Sequence, residues 1–380
     1  MHLGKEQIYK DNNEGEHLIL NMREGKRVVV GISGGVDSSI AAALLKEQGF
    51  EVVGLFMKNW DEDDNEIYCS AAEDLDMASR VCQEIAVPLR TVNFSHEYWE
   101  RVFEIFLNEY KMGRTPNPDV ICNREIKFRE FLEFSVKLGA NFIATGHYAR
   151  TRKKNSEMQL LTGKDSNKDQ SYFLYQVRQS ALAQTLFPLG DLTKDQVRAH
   201  ATTLGLSNSD RKDSTGICFI GERRFKDFLA RYLPSNPGEI RTVDGDCIGK
   251  HDGLWYYTRG QRHGLNIGGP GDAWYVASKD ILNNILIVVQ GHNDPNLMNK
   301  TLRASKPYWI AGTRPKQSPF RCTAKIRYQQ VSQTCELYFA GPESIHVHFD
   351  NEQRAITPGQ SVVFYDNEVV LGGATIDYSG

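Results

Sequence analysis

Residues 28–39 run Val28-Val29-Val30-Gly31-Ile32-Ser33-Gly34-Gly35-Val36-Asp37-Ser38-Ser39. The apolar run from Val28 to Ile32 predicts a buried strand. Ser33-Gly34-Gly35 then makes a turn with almost no side-chain bulk. Ile40, Ala43 and Leu44 recur at helical spacing, and Gly49 stands where a helix would stop. Strand, small-residue loop and helix start form a geometry for holding phosphate. Glycines let backbone N–H groups approach an anion, and the helix N-terminus adds unpaired donors and a partial positive charge. Ser33, Ser38 and Ser39 can add hydroxyl donors. No lysine follows at the P-loop position, so this is not a Walker A loop.

The flanking sequence extends the pattern. Glu51 to Met57 reads as a second strand, which completes a βαβ unit and predicts a parallel sheet covered on both faces. Ligands bind such sheets at the carboxyl ends of the strands. Met57 lies at such an end and can either touch an adenine ring or fill the core. Leu89–Phe94 is a third strand. Phe142–Thr145 is another, and it runs into Gly146-His147-Tyr148 at the expected edge of the nucleotide site. Leu75, Ala78, Val81, Cys82 and Ile85 repeat at helical spacing, which makes Cys82 an inert buried thiol. Trp99 to Tyr110 predicts one amphipathic helix stopped at Gly113, and Ile126, Phe131 and Leu132 another, ending at Gly139. Thr193 and Gln196 form a capping box for a helix ending near Gly205.

Two cysteine segments stand out. Arg114-Thr115-Pro116-Asn117-Pro118-Asp119-Val120-Ile121-Cys122-Asn123 carries two prolines that stiffen it and forbid a regular helix across them. A rigid loop that presents Asn, Asp and Cys together suits a functional site. The second segment is Lys212-Asp213-Ser214-Thr215-Gly216-Ile217-Cys218-Phe219-Ile220-Gly221. Arg211, Lys212, Arg223 and Arg224 flank Cys218, and nearby cations favour the nucleophilic thiolate. The first segment also fits a plainer description as a helix–helix connector, and Cys218 one as a small buried hydrophobe. Arg150-Thr151-Arg152-Lys153-Lys154 reads as a solvated basic face.

Beyond about Arg231 the texture changes. Short apolar runs separated by Gly, Asn and Asp predict a small β-rich module through Leu254–Tyr257, Trp274–Val276 and Ile285–Val289. A further set of evenly spaced strands from about Lys300 predicts a small barrel, with Asp366-Asn367 as a hairpin turn. The 380 residues thus suit two or three domains. With 45 Lys and Arg against 48 Asp and Glu, any RNA contact must come from local basic patches. Seven scattered cysteines without a CxxC pair argue for a reducing compartment, against a disulfide framework and against a structural zinc. No apolar run reaches membrane-span length, and residues 1–25 read as a polar N-terminal extension.

The Ser33–Ser38 string resembles the pyrophosphate loop of the ATP pyrophosphatases. Taken with Gly54–Trp60, Gly113–Phe128, Ala144–Tyr148, Asp165–Tyr175, Lys212–Glu222, Thr258–Leu265, Trp274–Val276, Arg327-Tyr328 and Thr357–Gln360, it makes the chain resemble the tRNA-specific 2-thiouridylases from about Lys26 to Ser379. His263 departs from the lysine expected there, which puts an RNA contact at that point in doubt. The resemblance implies an α/β fold. An ATP-pyrophosphatase (adenine nucleotide alpha hydrolase-like) parallel-sheet domain would span 26–222, a small central β-rich domain 223–297 and a C-terminal β-barrel 298–380.

It also implies ATP-dependent 2-thiolation of the wobble uridine of tRNA, in the cytoplasm, with Mg2+ and a sulfur-donor protein, either a cysteine desulfurase or a relay. Gly31, Ile32, Ser33, Gly34, Gly35, Val36, Asp37 and Ser38 would hold the ATP phosphates, and Met57 and Gly146 the nucleoside. Cys122 would be the nucleophile, Cys218 the persulfide carrier and Asp119 a proton-transfer group. Asn117 and Pro118 would lie with Asp119 beside the target base. His147, Lys168, Asp169, Gln170, Arg327, Tyr328 and Gln360 would contact tRNA. Amidating enzymes and lysidine-type ligases share the loop but do not need the two cysteines, and a non-catalytic RNA-binding protein would need neither.

Overall fold

The computed structural model describes residues 25–60, 70–212 and 225–379. Cys218, the Asp213–Glu222 part of its motif, Cys69 and the first 24 residues lie outside them. The described chain forms two compact units.

The first unit comprises residues up to Asn93, Arg129–Asp169 and Ser180–Asp213. Its centre is a five-stranded parallel sheet in the order β3-β2-β1-β4-β7. The strands are β1 Arg27–Gly31, β2 Glu51–Lys58, β3 Leu89–Asn93, β4 Phe142–Ala144 and β7 Thr185–Leu186. Val28, Val29 and Val30 are fully buried, as a strand covered on both faces requires. The Val36–Glu47 helix packs Ile40, Ala41, Ala42 and Leu45 into the same core, with Val81 and Cys82 of the Ser70–Glu84 helix. Burial pushes the Cys82 thiol up to about 11, so it is the inert thiol expected. The order reverses between β1 and β4. Their C-terminal loops therefore flank the point where such sheets bind ligands. Arg150–Lys154 belongs to a hairpin of β5 Ala149–Lys154 and β6 Glu157–Thr162, turning at Asn155 with φ 56°.

The second unit comprises Phe94–Phe128, Gln170–Gln179 and Ser214 onward. Its central module is a four-stranded sheet, β10-β11-β8-β9. These are β8 Gly238–Thr242, β9 Cys247–His251, β10 Trp274–Asp280 and β11 Ile285–Gln290. Leu254–Tyr256, expected as a strand, is instead a single 3-10 turn after Gly253. The remaining strands are β12 Met298–Trp309, β13 Phe320–Lys325, β14 Gln333–Phe339, β15 Ser344–Arg354, β16 Ser361–Asp366 and β17 Val369–Ser379. They pair in the order β12-β15-β14-β13-β16-β17, and β17 returns to β12. Closure removes sheet edges. Leu302, Ala304, Leu337, Val347, Phe364 and Ile376 fill the interior. Asn367, φ 52°, makes the expected turn.

The expected Trp99–Tyr110 helix is present but not α-helical throughout. Trp99–Phe103 is a π-turn ahead of an α-helix at Glu104–Lys111. The extra residue per turn keeps Val102, Phe103 and Phe106 all buried.

Candidate active site

Two clusters of predicted residues take shape, one in each unit. In the first unit the turn Ser33–Gly35 leaves β1 and enters the Val36–Glu47 helix, whose N-cap, Gly35, has no side-chain cap. The first-turn amides thus keep the anion-binding character of a helix N-terminus. Gly34 has φ +77°, and a Cβ there would come within 2.7 Å of the Asp74 carbonyl, so only glycine fits. The serines knit the turn: Ser38 Oγ donates to the Gly35 carbonyl at 3.0 Å and accepts from Ser33 N at 3.2 Å. Ile32 and Val36 send their side chains into the core, and Ile32 N is committed to Leu55 O. Those two residues contribute position more than donors. Gly31 lies under Met57, whose Cε would be 3.3 Å from a Cβ at Gly31.

Asp37 is held from two sides. Lys194 Nζ lies 2.8 Å and 2.9 Å from its two carboxylate oxygens, and Tyr148 OH donates to Oδ1 at 2.8 Å. The turn's outer carbonyl, Gly34 O, accepts from Asn208 Nδ2 at 3.0 Å and Arg211 Nη1 at 3.2 Å. Sequence reading missed these four supports. Two left a trace: Tyr148 ends the quoted Gly146-His147-Tyr148 string, and the confirmed capping box of Thr193 and Gln196 fixes Lys194 at the start of its helix. Gly146 is packed hard against the turn, since a Cβ there would lie 2.8 Å from Asp37 C and Ser38 N. His147 Nδ1 pairs with Thr145 Oγ1 at 2.8 Å and is buried. Asp169 is buried and accepts from Gly163 N at 3.0 Å, while Lys168 N bonds Asp165 O.

In the second unit, Asn117 caps a short helix, Pro118–Cys122, by accepting from Val120 N, with Pro118 at the first helical position. Asp119 and Cys122 stand three residues apart, on one helical face. Burial pushes the Asp119 carboxyl above its ordinary value, partly offset by Lys127. Cys122 is 2 % exposed. The helix continues as a π-turn over Asn123–Glu130, where Asn123 Nδ2 donates to Phe173 O and Arg124 Nη1 to Gln176 Oε1. Tyr328 packs against Phe173 with ring centres 4.5 Å apart and planes tilted by 40°. Arg327 Nη2 donates to the carbonyls of Arg354 and Ala355. Gln360 Nε2 donates to Thr115 O and Pro116 O at 2.9 and 3.1 Å. Gln170 O accepts from Phe173 N.

Among the described residues no three His, Cys, Asp or Glu side chains gather as a metal site, and no helix is long and apolar enough to cross a membrane.

The family model described as the tRNA methyl transferase HUP domain matches residues 26–222. A tRNA methyl transferase PRC-barrel domain matches 226–290, and an aminomethyltransferase beta-barrel domain 299–376. The full-length relatives bear a different activity in their names. A tRNA-specific 2-thiouridylase MnmA from Methylococcus capsulatus is 56 % identical over 355 residues, 92 % of this chain and 96 % of that one. One from Pasteurella multocida is 55 % identical over 357 residues, 93 % of each. With more than half the chain matched by the HUP-domain model and relatives of this identity along nearly its whole length, the chain belongs to the tRNA-specific 2-thiouridylase family, which are sulfurtransferases.

Proposed function

We propose that this protein thiolates carbon 2 of the wobble uridine of tRNA for lysine, glutamate and glutamine, in the cytoplasm, using ATP and a persulfide. The observation that carries the reading is the Asp119–Cys122 pair. A nucleophile and a carboxyl with a raised pKa share one face of a helix whose start is fixed by Asn117 and Pro118.

The residues at the first turn of the Val36–Glu47 helix fit a polyphosphate, with a glycine cradle and an uncapped helix N-terminus, while the Ser38 and Ser39 hydroxyls donate to the Gly35 carbonyl. Ser33–Ser38 would hold ATP there, with Met57 and Gly146 toward its nucleoside. Bound ATP supplies the leaving group, because transfer of its AMP to the uridine oxygen makes that poor leaving group a good one. Magnesium would offset the charge of the pyrophosphate that departs when AMP is transferred.

The protein's thiols do the rest. Sulfur arrives on Cys218 as a persulfide from a donor protein, a desulfurase or a relay. Two orders of events balance. In one, the Cys122 thiolate attacks the Cys218 sulfur, expels hydrosulfide and forms a Cys122–Cys218 disulfide; hydrosulfide then adds to the activated carbon and expels AMP. In the other, the persulfide adds to that carbon first and expels AMP, and Cys122 then attacks the Cys218 sulfur, releasing the thiolated base. Both end in the same disulfide, and two electrons from a thiol reductant reset it. Asp119 would move the proton. Asn117 and Pro118 flank the base, which leaves the single-stranded anticodon loop at low cost. His147, Lys168, Asp169, Gln170, Arg327 and Tyr328 are assigned to tRNA, with catalytic, central and barrel domains at 26–222, 223–297 and 298–380.

Mass analysis of tRNA nucleosides after incubation with ATP, magnesium and a sulfur source tests this. The expected product is 2-thiouridine, lost in both Cys122→Ser and Cys218→Ser while ATP binding persists. Thiolation retained in either variant overturns the two-cysteine mechanism.

A further inference from the structure

The segment that leads into Asp119 and Cys122 is gripped by a turn of the barrel. Thr115 N donates to Pro358 O at 2.9 Å, and Gln360 Nε2 donates to Thr115 O and Pro116 O at 2.9 and 3.1 Å. Between those residues Gly359, φ +92°, lets the two backbones meet: a Cβ there would lie 2.9 Å from the N, C and O atoms of Thr115. The turn is itself anchored on β17, with Gly359 N donating to Ile376 O and Ile376 N to Gln360 O, both at 2.8 Å. Downstream of the grip the chain is stiff. Pro116 and Pro118 fix φ at two of three successive residues, and the residue between them, Asn117, is the helix cap. A shift at Thr115–Pro116 is therefore carried to the helix bearing Asp119 and Cys122 rather than absorbed.

We propose that Gln360 is a positioning residue: its side-chain amide, holding the Thr115 and Pro116 carbonyls, fixes where the Asn117–Cys122 segment begins. An amide suits the task because its NH2 carries two donors for two carbonyls. The proposal rests on the reading of Asp119 and Cys122 as reacting groups. It differs from a role for Gln360 as a tRNA contact, because it predicts a loss in turnover rather than in RNA affinity.

The test uses the full chain carrying Gln360→Ala or Gln360→Glu. Two quantities are measured: 2-thiouridine formation against tRNA concentration, and iodoacetamide labelling of Cys122, resolved by peptide mass spectrometry without tRNA or ATP. Losing two hydrogen bonds to a buried segment should lower kcat about tenfold in Gln360→Ala, and further in Gln360→Glu, where a carboxylate faces two carbonyls. The KM for tRNA should stay within about twofold, and Cys122 labelling should speed up about tenfold as the segment opens more often. A raised KM for tRNA with unchanged kcat and unchanged labelling overturns the proposal and leaves Gln360 as an RNA contact. If the unaltered protein makes no thiouridine, the thiolation reading fails, and the labelling comparison still decides the positioning role. Should Gln360→Glu unfold, Gln360→Ala, which adds no charge, gives the same comparison.

Discussion

Lys194 and Asp37 form a two-point ion pair, with Nζ 2.8 Å from one carboxylate oxygen and 2.9 Å from the other, although 157 residues separate them. The lysine side chain is only 10 % exposed and the aspartate 33 %. Asp37 sits in the first turn of the helix proposed to receive phosphate. Without its cation, a carboxylate held only by the Tyr148 hydroxyl would face the anion with its charge uncompensated. Lys194→Met should therefore weaken ATP binding by roughly 1–2 kcal/mol, about five- to thirtyfold, after allowance for the solvent that reaches Asp37. Calorimetric titration with ATP checks this. Unchanged affinity would show the pair to be structural only.

Asp119 yields a prediction in which stability and activity move oppositely. Its pKa is raised in the fold, chiefly by burial. The fold therefore penalises the ionised form, and this cost to stability fades as pH falls through the raised value toward 3.8, where the unfolded chain also binds the proton. Asp119→Asn keeps the shape and removes the charge. It should raise the melting temperature at pH 7, lessen that gain as pH falls, and cut thiolation at least roughly 100-fold if the carboxyl moves a proton. Melting curves across pH and nucleoside analysis together decide it.

What could be read from the sequence divides along physical lines. The Val28–Ser39 string, the Thr193 capping box and the Asn367 turn are set by neighbours a few residues apart, and each appears where expected. The evenly spaced short runs beyond Lys300 likewise announced the barrel that β12 to β17 form. The π-turns at Trp99–Phe103 and Asn123–Glu130 did not announce themselves, because an added residue per turn leaves helical spacing nearly unchanged. Leu254–Tyr256 misled because a short apolar run fits a strand or a tight turn equally. Strands β8 and β9 have few buried side chains and so gave little pattern. The supports of the site, Lys194 on Asp37 and Gln360 on Thr115, join residues far apart in the chain, and no local rule encodes them.

Lys279, on β10, donates to the Gly113 carbonyl at 3.0 Å, and burial pulls its pKa down from 10.5 to about 8. A lysine lowered in the fold costs stability while charged. The cost is full below about pH 8 and fades as pH rises toward 10.5. Lys279→Met removes the cost together with one hydrogen bond. At pH 7 it should leave the protein equally stable or more so, by at most about 2–3 kcal/mol. The advantage should shrink and change sign by about pH 10, where only the lost hydrogen bond remains. Paired melts of the two proteins from pH 7 to 10 give the comparison, and a difference that does not vary with pH would rule out a titrating Lys279.

Gly146 closes the set, because its position separates two roles. Next to the end of β4, a methyl group there would meet Asp37 C and Ser38 N at 2.8 Å and Asp37 Cβ at 3.1 Å. The two nearer atoms are backbone of the Val36–Glu47 helix, so they cannot swing aside as a flexible side chain would. Gly146→Ala must push the end of β4 away from the helix start, at a cost of roughly 1–3 kcal/mol. If the pair of loops holds ATP, the same displacement lowers ATP affinity by a comparable amount. Gly268→Ala is the control, since a Cβ at Gly268 meets nothing within 4 Å and should change stability by less than about 0.5 kcal/mol. Thermal melts and ATP titration on both variants check it. A Gly146→Ala protein that melts and binds ATP like the unaltered chain would show that β4 and the Val36–Glu47 helix can part without cost, and the nucleotide site would then have to lie elsewhere.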